Sequence, residues 1–455
     1  MQVRDDKVHF ATRRQRRKWG VTPSGQQPVP PWRLAGRVDT RMLCGDNNLQ
    51  SPPSWPLSES VMDNVQPAPK RIRGPATGHG SLPSPVLVDT PEAFDGLLAA
   101  LAGEPSVALD TESDSLYRYF YRVCLIQISI PDADYLLDPL RLPDLAPLGA
   151  LLADPSVEKV FHAAENDILV LKRDFHFGFA HIFDTMIAAR ILGWPRVGLA
   201  ALLAEHFDVE LDKRSQLTDW GQRPLTRQQL DYAGLDSHFL PGLRDLLAQE
   251  LRSRGRWREA QEAFALLPDI TYIEKPFDPD GFWRTRGARD LRPAELAVLR
   301  ELYLWREEQA RAADRPPFKI LGDQVLIRLS QEQPRRMADL RLGGSQAERY
   351  GRPILEAIAA GQGAPAPHPP PRNQGADHRP DPAVLARYDR LRAWRTQRAA
   401  ERGVDADVVL NNETLMALAR SAPESLQQLA ALDLLGTWKL EEYGADLLQA
   451  LAAGP

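Results

Sequence analysis

A mixed α/β domain built on one main sheet, followed by two copies of a small helical bundle, is the architecture this sequence predicts. Two observations carry it. Between residues 85 and 255, β-rich apolar runs come first and helical periods later, which suits a mixed sheet flanked by helices. In the C-terminal half, residues of several types recur at one fixed offset.

Within 85–255 the runs Val86-Leu87-Val88, Ser106–Asp110, Val123–Ile130, Asp134–Leu137 and Val157–His162 read as strands. Cys124–Ile130 is apolar enough for a central strand. Helices are expected over Pro91–Leu101, Asn166–Phe175, Thr185–Leu192, Gly198–His206 and Thr226–Leu247. Thr90 ahead of Pro91 and Glu92 is a suitable N-cap, with proline at the first helical position. Farther on, Trp305-Arg306 returns as Trp394-Arg395 and Ile320–Asp323 as Val409–Asn412. Pro334 returns as Pro423 and Leu340 as Leu429, all at an offset of 89. Tyr350 and Tyr443 match after a small insertion. The implied divisions are an extension over 1–84, an α/β domain over 85–255 and a connector over 256–291. Helical repeats follow over 292–360 and 382–453, separated by a Pro/Gly-rich spacer over 361–381.

Composition narrows the class. The chain has 455 residues, 43% hydrophobic and 26% charged, so most of it should fold as ordinary globular protein. Residues 1–84 lack a sustained apolar period and are expected to be disordered. Their basic run, Arg13–Lys18, is either a solvated tail or an auxiliary RNA contact. Cys44 and Cys124 lie too far apart in too small a number for a cysteine zinc site, and a reducing cytoplasm is expected. No apolar stretch of membrane-spanning length occurs, and no secretory leader is expected. Residues 86–255 carry 15 Lys/Arg against 26 Asp/Glu, a net of −11. So acidic a segment repels nucleic acid unless divalent cations or basic flanks reverse its field.

The acids are placed suggestively. Asp110-Thr111-Glu112 follows the apolar run Val107-Ala108-Leu109, and carboxylates at i and i+2 share one face of a strand. Beside an apolar core such a pair needs a cation. Asp167 comes in His162-Ala-Ala-Glu-Asn-Asp167, at the start of a helix after a strand. Tyr232 and Asp236 stand at i and i+4, on one helical face. Asp110, Glu112, Asp167 and Asp236 therefore read as ligands to two divalent ions, Mg²⁺ or Mn²⁺, with Tyr232 near the attacking water of a phosphodiesterase.

These motifs resemble those of the ribonuclease D family, a branch of the four-acid 3′–5′ exonucleases with a tyrosine in the third motif. Asp110 and Glu112 match the first motif, Asp167 the second, and Tyr232 and Asp236 the third. Leu125-Ile126-Gln127, Phe183-Asp184-Thr185, Leu211-Asp212-Lys213, Thr218-Asp219-Trp220 and Arg223-Pro224-Leu225 extend the match. The repeats resemble HRDC domains through Trp305-Arg306, Arg315–Leu321 and Pro334. The resemblance implies a ribonuclease-H-like fold and hydrolysis of RNA from its 3′ end to nucleoside 5′-monophosphates. Precursor tRNAs with 3′ extensions are an implied substrate class. The chain departs from the family pattern at Ser113, where an aromatic or apolar residue is common, and in its N-terminal extension.

Further residues have two readings each. His162 touches substrate near the 3′ end or is a hydrogen-bonded histidine at a strand end. Lys213 and Trp220 fold over the site, to offset phosphate and stack a base, or are a surface lysine and a core tryptophan. Gln127 contacts substrate or satisfies backbone. Trp305 and Trp394 are expected in the cores of their repeats. The first repeat carries 12 Lys/Arg and 10 Asp/Glu, the second 8 and 10, so RNA contact is expected at Arg311, Arg315 and Lys319. The second is expected to be a spacer or a protein-contact module. The expected protein is a monomer with no membrane attachment. Two other functions fit the acids: a repair-type 3′–5′ DNA exonuclease, since sugar selection lies outside them, and a catalytically silent RNA-binding protein.

Overall fold

The structure, a computed structural model, describes residues 84–211, 213–369 and 381–453. The expected disorder of the N-terminal extension, its basic run, and residues 370–380 of the expected spacer lie outside the described residues.

β1 (Val86–Val88) leads into α1 (Pro91–Leu101), whose first turn is capped by Thr90 accepting from the Ala93 amide at 3.2 Å. β2 (Ser106–Ser113), β3 (Val123–Ile130) and β4 (Ala133–Leu137) form an antiparallel meander. α2 (Ala146–Ala153), β5 (Glu158–Phe161), α3 (Glu165–Phe175), β6 (Ile182–Asp184), α4 (Thr185–Ile191) and α5 (Leu199–His206) follow. α6 (Arg227–His238), α7 (Leu240–Ser253) and α8 (Trp257–Phe264) complete the α/β region. Strand order is β1-β4-β3-β2-β5-β6, with β1, β5 and β6 parallel to their neighbours β4, β2 and β5.

Helices cover both faces. Val107, Leu109, Ile126 and Ile128 pack with Phe94, Leu97, Leu148 and Ile168 from α1, α2 and α3. Ala108, Val160 and Phe183 pack with Leu243 and Leu247 of α7 and Ala260 and Phe264 of α8. β3, whose residues are buried from Val123 to Ser129, is the centre of the sheet.

Three departures from the expected elements matter. β2 runs on to Ser113, so Glu112 remains in the strand, and its register with β3 shifts only after Glu112. The single helix expected over 226–247 is two, because Pro241 has no amide to donate; α6 stops and α7 restarts with the proline in its first turn. α8 forms within the stretch expected to be a connector.

The first helical repeat comprises α9 (Pro293–Ala312), α10 (Pro317–Ile320), α11 (Asp323–Glu332) and α12 (Gly344–Gly363). The second comprises α13 (Pro382–Arg402), α14 (Ala406–Val409), α15 (Asn412–Ser421), α16 (Leu426–Ala431) and α17 (Thr437–Ala452). The repetition extends to contacts. Arg306 donates to the Leu321 carbonyl at 3.0 Å, and Arg395 to that of Leu410 at 2.7 Å. Trp305 meets Tyr350 edge-on at 5.8 Å, and Trp394 meets Tyr443 at 5.5 Å. Trp305 is buried and Trp394 half-buried.

Both repeats rest on the α/β region. The loop between β2 and β3 reaches the first: the Tyr119 and Phe120 amides donate to Asp314 at 3.1 and 3.0 Å, and the Tyr119 hydroxyl bonds Glu307. The second docks on α8 and α4. Arg402 pairs with buried Glu259, and Glu262 accepts the Trp438 amide at 2.6 Å, capping α17. Arg190 forks onto Asp407 at 2.8 and 2.7 Å. Gly193, at φ +73°, lies so close to the Gly403 carbonyl that a Cβ there would sit 2.0 Å from its oxygen.

Candidate active site

Strand alternation separates the first-motif residues. Asp110 and Glu112 continue the face begun by Ala108, the side covered by α6 and α7, while Thr111 continues that of Val107 and Leu109, toward α3. Asp167, in the first turn of α3, reaches this strand from the opposite layer. The Thr111 hydroxyl donates to its Oδ1 at 2.5 Å.

The turn carrying Asp167 is held by Asp184. Its carboxylate accepts from Ala163 and Ala164 at 3.2 and 2.7 Å, and from Met186 and Ile187 at 2.8 and 3.0 Å. One side chain thereby caps α4 and fixes the left-handed Ala163, at φ 61°, just ahead of α3. α6 is fixed at both ends. Thr226 and Gln229 form a capping box at its start. Near its end, Ser129 bridges Ser237 at 2.7 Å and Asp134 at 2.6 Å, and His238 bonds Asp134 at 2.8 Å. Tyr232 and Asp236, 6% and 4% exposed, are thus held against β2 and β3.

A cavity of about 420 Å³ opens over these residues, within the range of small-ligand pockets. Asp110, Thr111, Glu112, His162, Tyr232 and Asp236 line it with Leu199, Leu211, Gln216 and Leu240, and among the described residues no lining residue is Lys or Arg. Desolvation therefore dominates the electrostatics. Burial pushes the Asp110 carboxyl up to about 6. Burial, then the charges of Asp110, Asp236 and Asp167, raises Glu112 well above its ordinary range. Asp167 and Asp236 are raised by burial and by Asp110. Burial and the charge of Asp236 also raise the Tyr232 phenol.

Four carboxylates near one another are an all-oxygen donor set suited to hard divalent ions. Among the described residues no three such groups are already drawn together at coordinating spacing.

The remaining expected residues divide. His162 lines the cavity. Trp220 is 1% exposed, its ring 6.2 Å from that of Tyr232; it supports the tyrosine from behind and offers no face to a base. Gln127 is 0% exposed beneath the site, paired across the sheet with Asp110, and out of reach of a substrate. Lys213 begins the 3-10 turn Lys213–Leu217, and its side chain lies outside the described residues; Gln216 of that turn lines the cavity. Lys319 lies 3.4 Å over the Tyr117 ring and Arg311 5.5 Å over that of Tyr119, so both grip the β2–β3 loop; Arg315 is exposed. Sequence reasoning missed Thr111 as a partner of Asp167, because a threonine between two acids has no spacing signal of its own.

Residues 85–252 match the family described as 3′-5′ exonuclease, and residues 295–358 and 384–451 each match the HRDC domain. Ribonuclease D of Gluconacetobacter diazotrophicus is 32% identical over 381 residues, covering 82% of this chain and 94% of that one. The crystal structure of Escherichia coli RNase D, an exoribonuclease involved in structured RNA processing, superposes with a TM-score of 0.54 at 25% identity, covering 81% of this chain and 98% of that one. The catalytic core of RRP6 from Trypanosoma brucei gives a TM-score of 0.57 at 29% identity, covering 61% and 79%. With a relative this similar along nearly its whole length, and with its own 3′-5′ exonuclease and HRDC matches, the chain belongs to the ribonuclease D family of 3′–5′ exoribonucleases.

Proposed function

We propose that this exoribonuclease works with two divalent cations, Mg²⁺ or Mn²⁺, and that precursor tRNAs with single-stranded 3′ extensions are among its substrates. The observation that carries the metal reading is that Asp110, Glu112 and Asp236 line one cavity, with Asp167 close enough for its charge to act on Glu112. In this reading those carboxylates hold the ions. Bound there, the ions would activate the attacking water and stabilise the leaving 3′ oxygen of the shortened chain.

The chain's own groups do the positioning. The raised phenol of Tyr232 stays protonated at neutral pH, so it orients the attacking water and does not take its proton. Asp184 and Thr111 hold Asp167 in place, and the capping box holds α6. The α/β unit over 85–255 is the catalytic part, and the repeats over 292–360 and 382–453 extend the surface presented to a folded RNA. Arg315, exposed beside Lys319, is the RNA contact this reading favours on the first repeat. A monomer suffices, because every residue invoked comes from one chain. Among the described residues the one cysteine, Cys124, is buried and free, which suits a reducing cytoplasm.

Incubating 5′-labelled and 3′-labelled RNA with Mg²⁺ or Mn²⁺ tests the proposal. A 5′ label should yield a ladder shortening from the 3′ end, and a 3′ label a nucleoside 5′-monophosphate at once. Asp110→Ala should abolish cleavage while RNA still binds, and Tyr232→Phe should slow it about 10²-fold. Internal cuts, or no cleavage with either ion, would overturn the proposal.

A further inference from the structure

We infer that the surface running from the cavity mouth over Leu217 and Tyr117 to Phe318 and Arg315 of the first repeat seats the single-stranded RNA upstream of the terminal nucleotide. Leu217 and Phe318 support bases there, and Arg315 takes a phosphate. The inference rests on the exoribonuclease reading and adds what the four acids cannot supply, a dependence on the length of the free strand.

Three elements meet along this line. Gln216, in the turn Lys213–Leu217, lines the cavity, and Leu217 follows it, 66% exposed. The Tyr117 hydroxyl, from the β2–β3 loop, donates to the Leu217 carbonyl at 2.7 Å. Lys319 of α10 lies 3.4 Å over the Tyr117 ring. Phe318, the residue before it, is 56% exposed. Two contacts thus tie the cavity mouth to the first repeat, and a large apolar side chain faces solvent at each end of the tie. The repeat does not need Phe318 for its own packing, because Ile320 and Leu321 of the same segment fill its core.

Charge favours the same occupant. Arg315 is exposed, and among the described residues no carboxylate pairs with it, whereas Arg306 holds Asp323 and Arg336 holds Asp339 in the same repeat. Burial, and then the charge of Arg315, lowers the Lys319 ammonium, with Asp219 acting in the opposite sense, so the two cations are neighbours. Lys319 rests on the Tyr117 ring, which leaves Arg315 to meet an anion. An unpaired arginine among exposed apolar side chains is the composition of a single-strand track, where bases stack and cations follow the backbone. A protein partner could use apolar groups as well, but this surface is continuous with the cavity where the terminal nucleotide is cleaved. The segment around that cavity is acidic, a net of −11 over 86–255, so an incoming strand needs a basic flank beside it.

The test measures kcat/KM on unstructured RNAs of graded length, from the shortest that wild type cleaves upward. Wild type should gain with length and then level off once the strand reaches α10. Phe318→Ala should lower kcat/KM on the longest RNA about tenfold more than on the shortest, chiefly through KM, as expected for one base stacked on an aromatic ring. Phe318→Trp should restore the gain. Arg315→Ala should also reduce it and, unlike Phe318→Ala, should flatten the logarithmic salt dependence on the longest RNA by about 0.7, the share of one phosphate on a single strand. Losses equal at every length would show a structural role and overturn the inference. So would a wild type indifferent to length, or variants that match wild type on every RNA, which would leave the surface to a protein partner. Wild type inert at every length would overturn the exonuclease reading and this inference with it.

Discussion

At the scale of residues, the site is a charge problem held in check by its surroundings. Asp110 moves from an ordinary 3.8 to about 6, and Glu112, Asp167 and Asp236 rise with it. Between those two values the folded protein binds more protons than the unfolded chain. The contribution of Asp110 to stability therefore falls as pH rises from about 4 to about 6, and the penalty persists above that. Divalent cations should remove the penalty. We expect Mn²⁺ to raise the thermal midpoint more at pH 7.5 than at pH 5, measured by scanning fluorimetry after chelator treatment, and Asp110→Asn to shrink that difference. An equal shift at both pH values would separate the carboxylates from cation binding. The acids themselves were legible in the sequence, because i, i+2 spacing after an apolar run and i, i+4 spacing in a helix each define a face. Burial was not. Trp220 carried the pattern of a stacking residue as well as that of a core residue, and only its packing behind Tyr232 decides between them.

Length helped elements to be read, although β1 was legible from three apolar residues alone. β3 and α1 stood out because eight and eleven residues hold a clear pattern. β6, with three residues, gave no period to read, and Pro241 turned one expected helix into two. α8 was missed for another reason: its partners, Arg402 and the start of α17, lie more than 140 residues downstream, so nothing local marks it as an anchor. The fit there is close enough to test. Gly193→Ala would force a Cβ against the Gly403 carbonyl and strain a left-handed backbone, costing about 1 kcal/mol from conformation alone. We expect faster hydrogen exchange in α13 and α17 of this variant, with cleavage of a short single-stranded RNA preserved. Exchange unchanged from wild type would mean the contact yields without loosening the second repeat.

Across the whole molecule, the repeats are attached by different means. The first is gripped through the β2–β3 loop, where Arg311 and Lys319 lie over tyrosines. Lys/Arg counts made these residues RNA contacts, since charge alone cannot tell a solvent-facing cation from one resting on an aromatic ring. The second repeat is joined to the α/β region by Arg402 with Glu259, Arg190 with Asp407 and the capping of α17 by Glu262. That second attachment does not depend on the peptide between residues 370 and 380. A protease site placed there and cleaved should leave two polypeptides that elute together at low salt, separating once ionic strength or Arg402→Ala weakens the joint. Covalent continuity then serves chiefly to raise the local concentration of the second repeat around α8, as a tether does for two halves of a split protein.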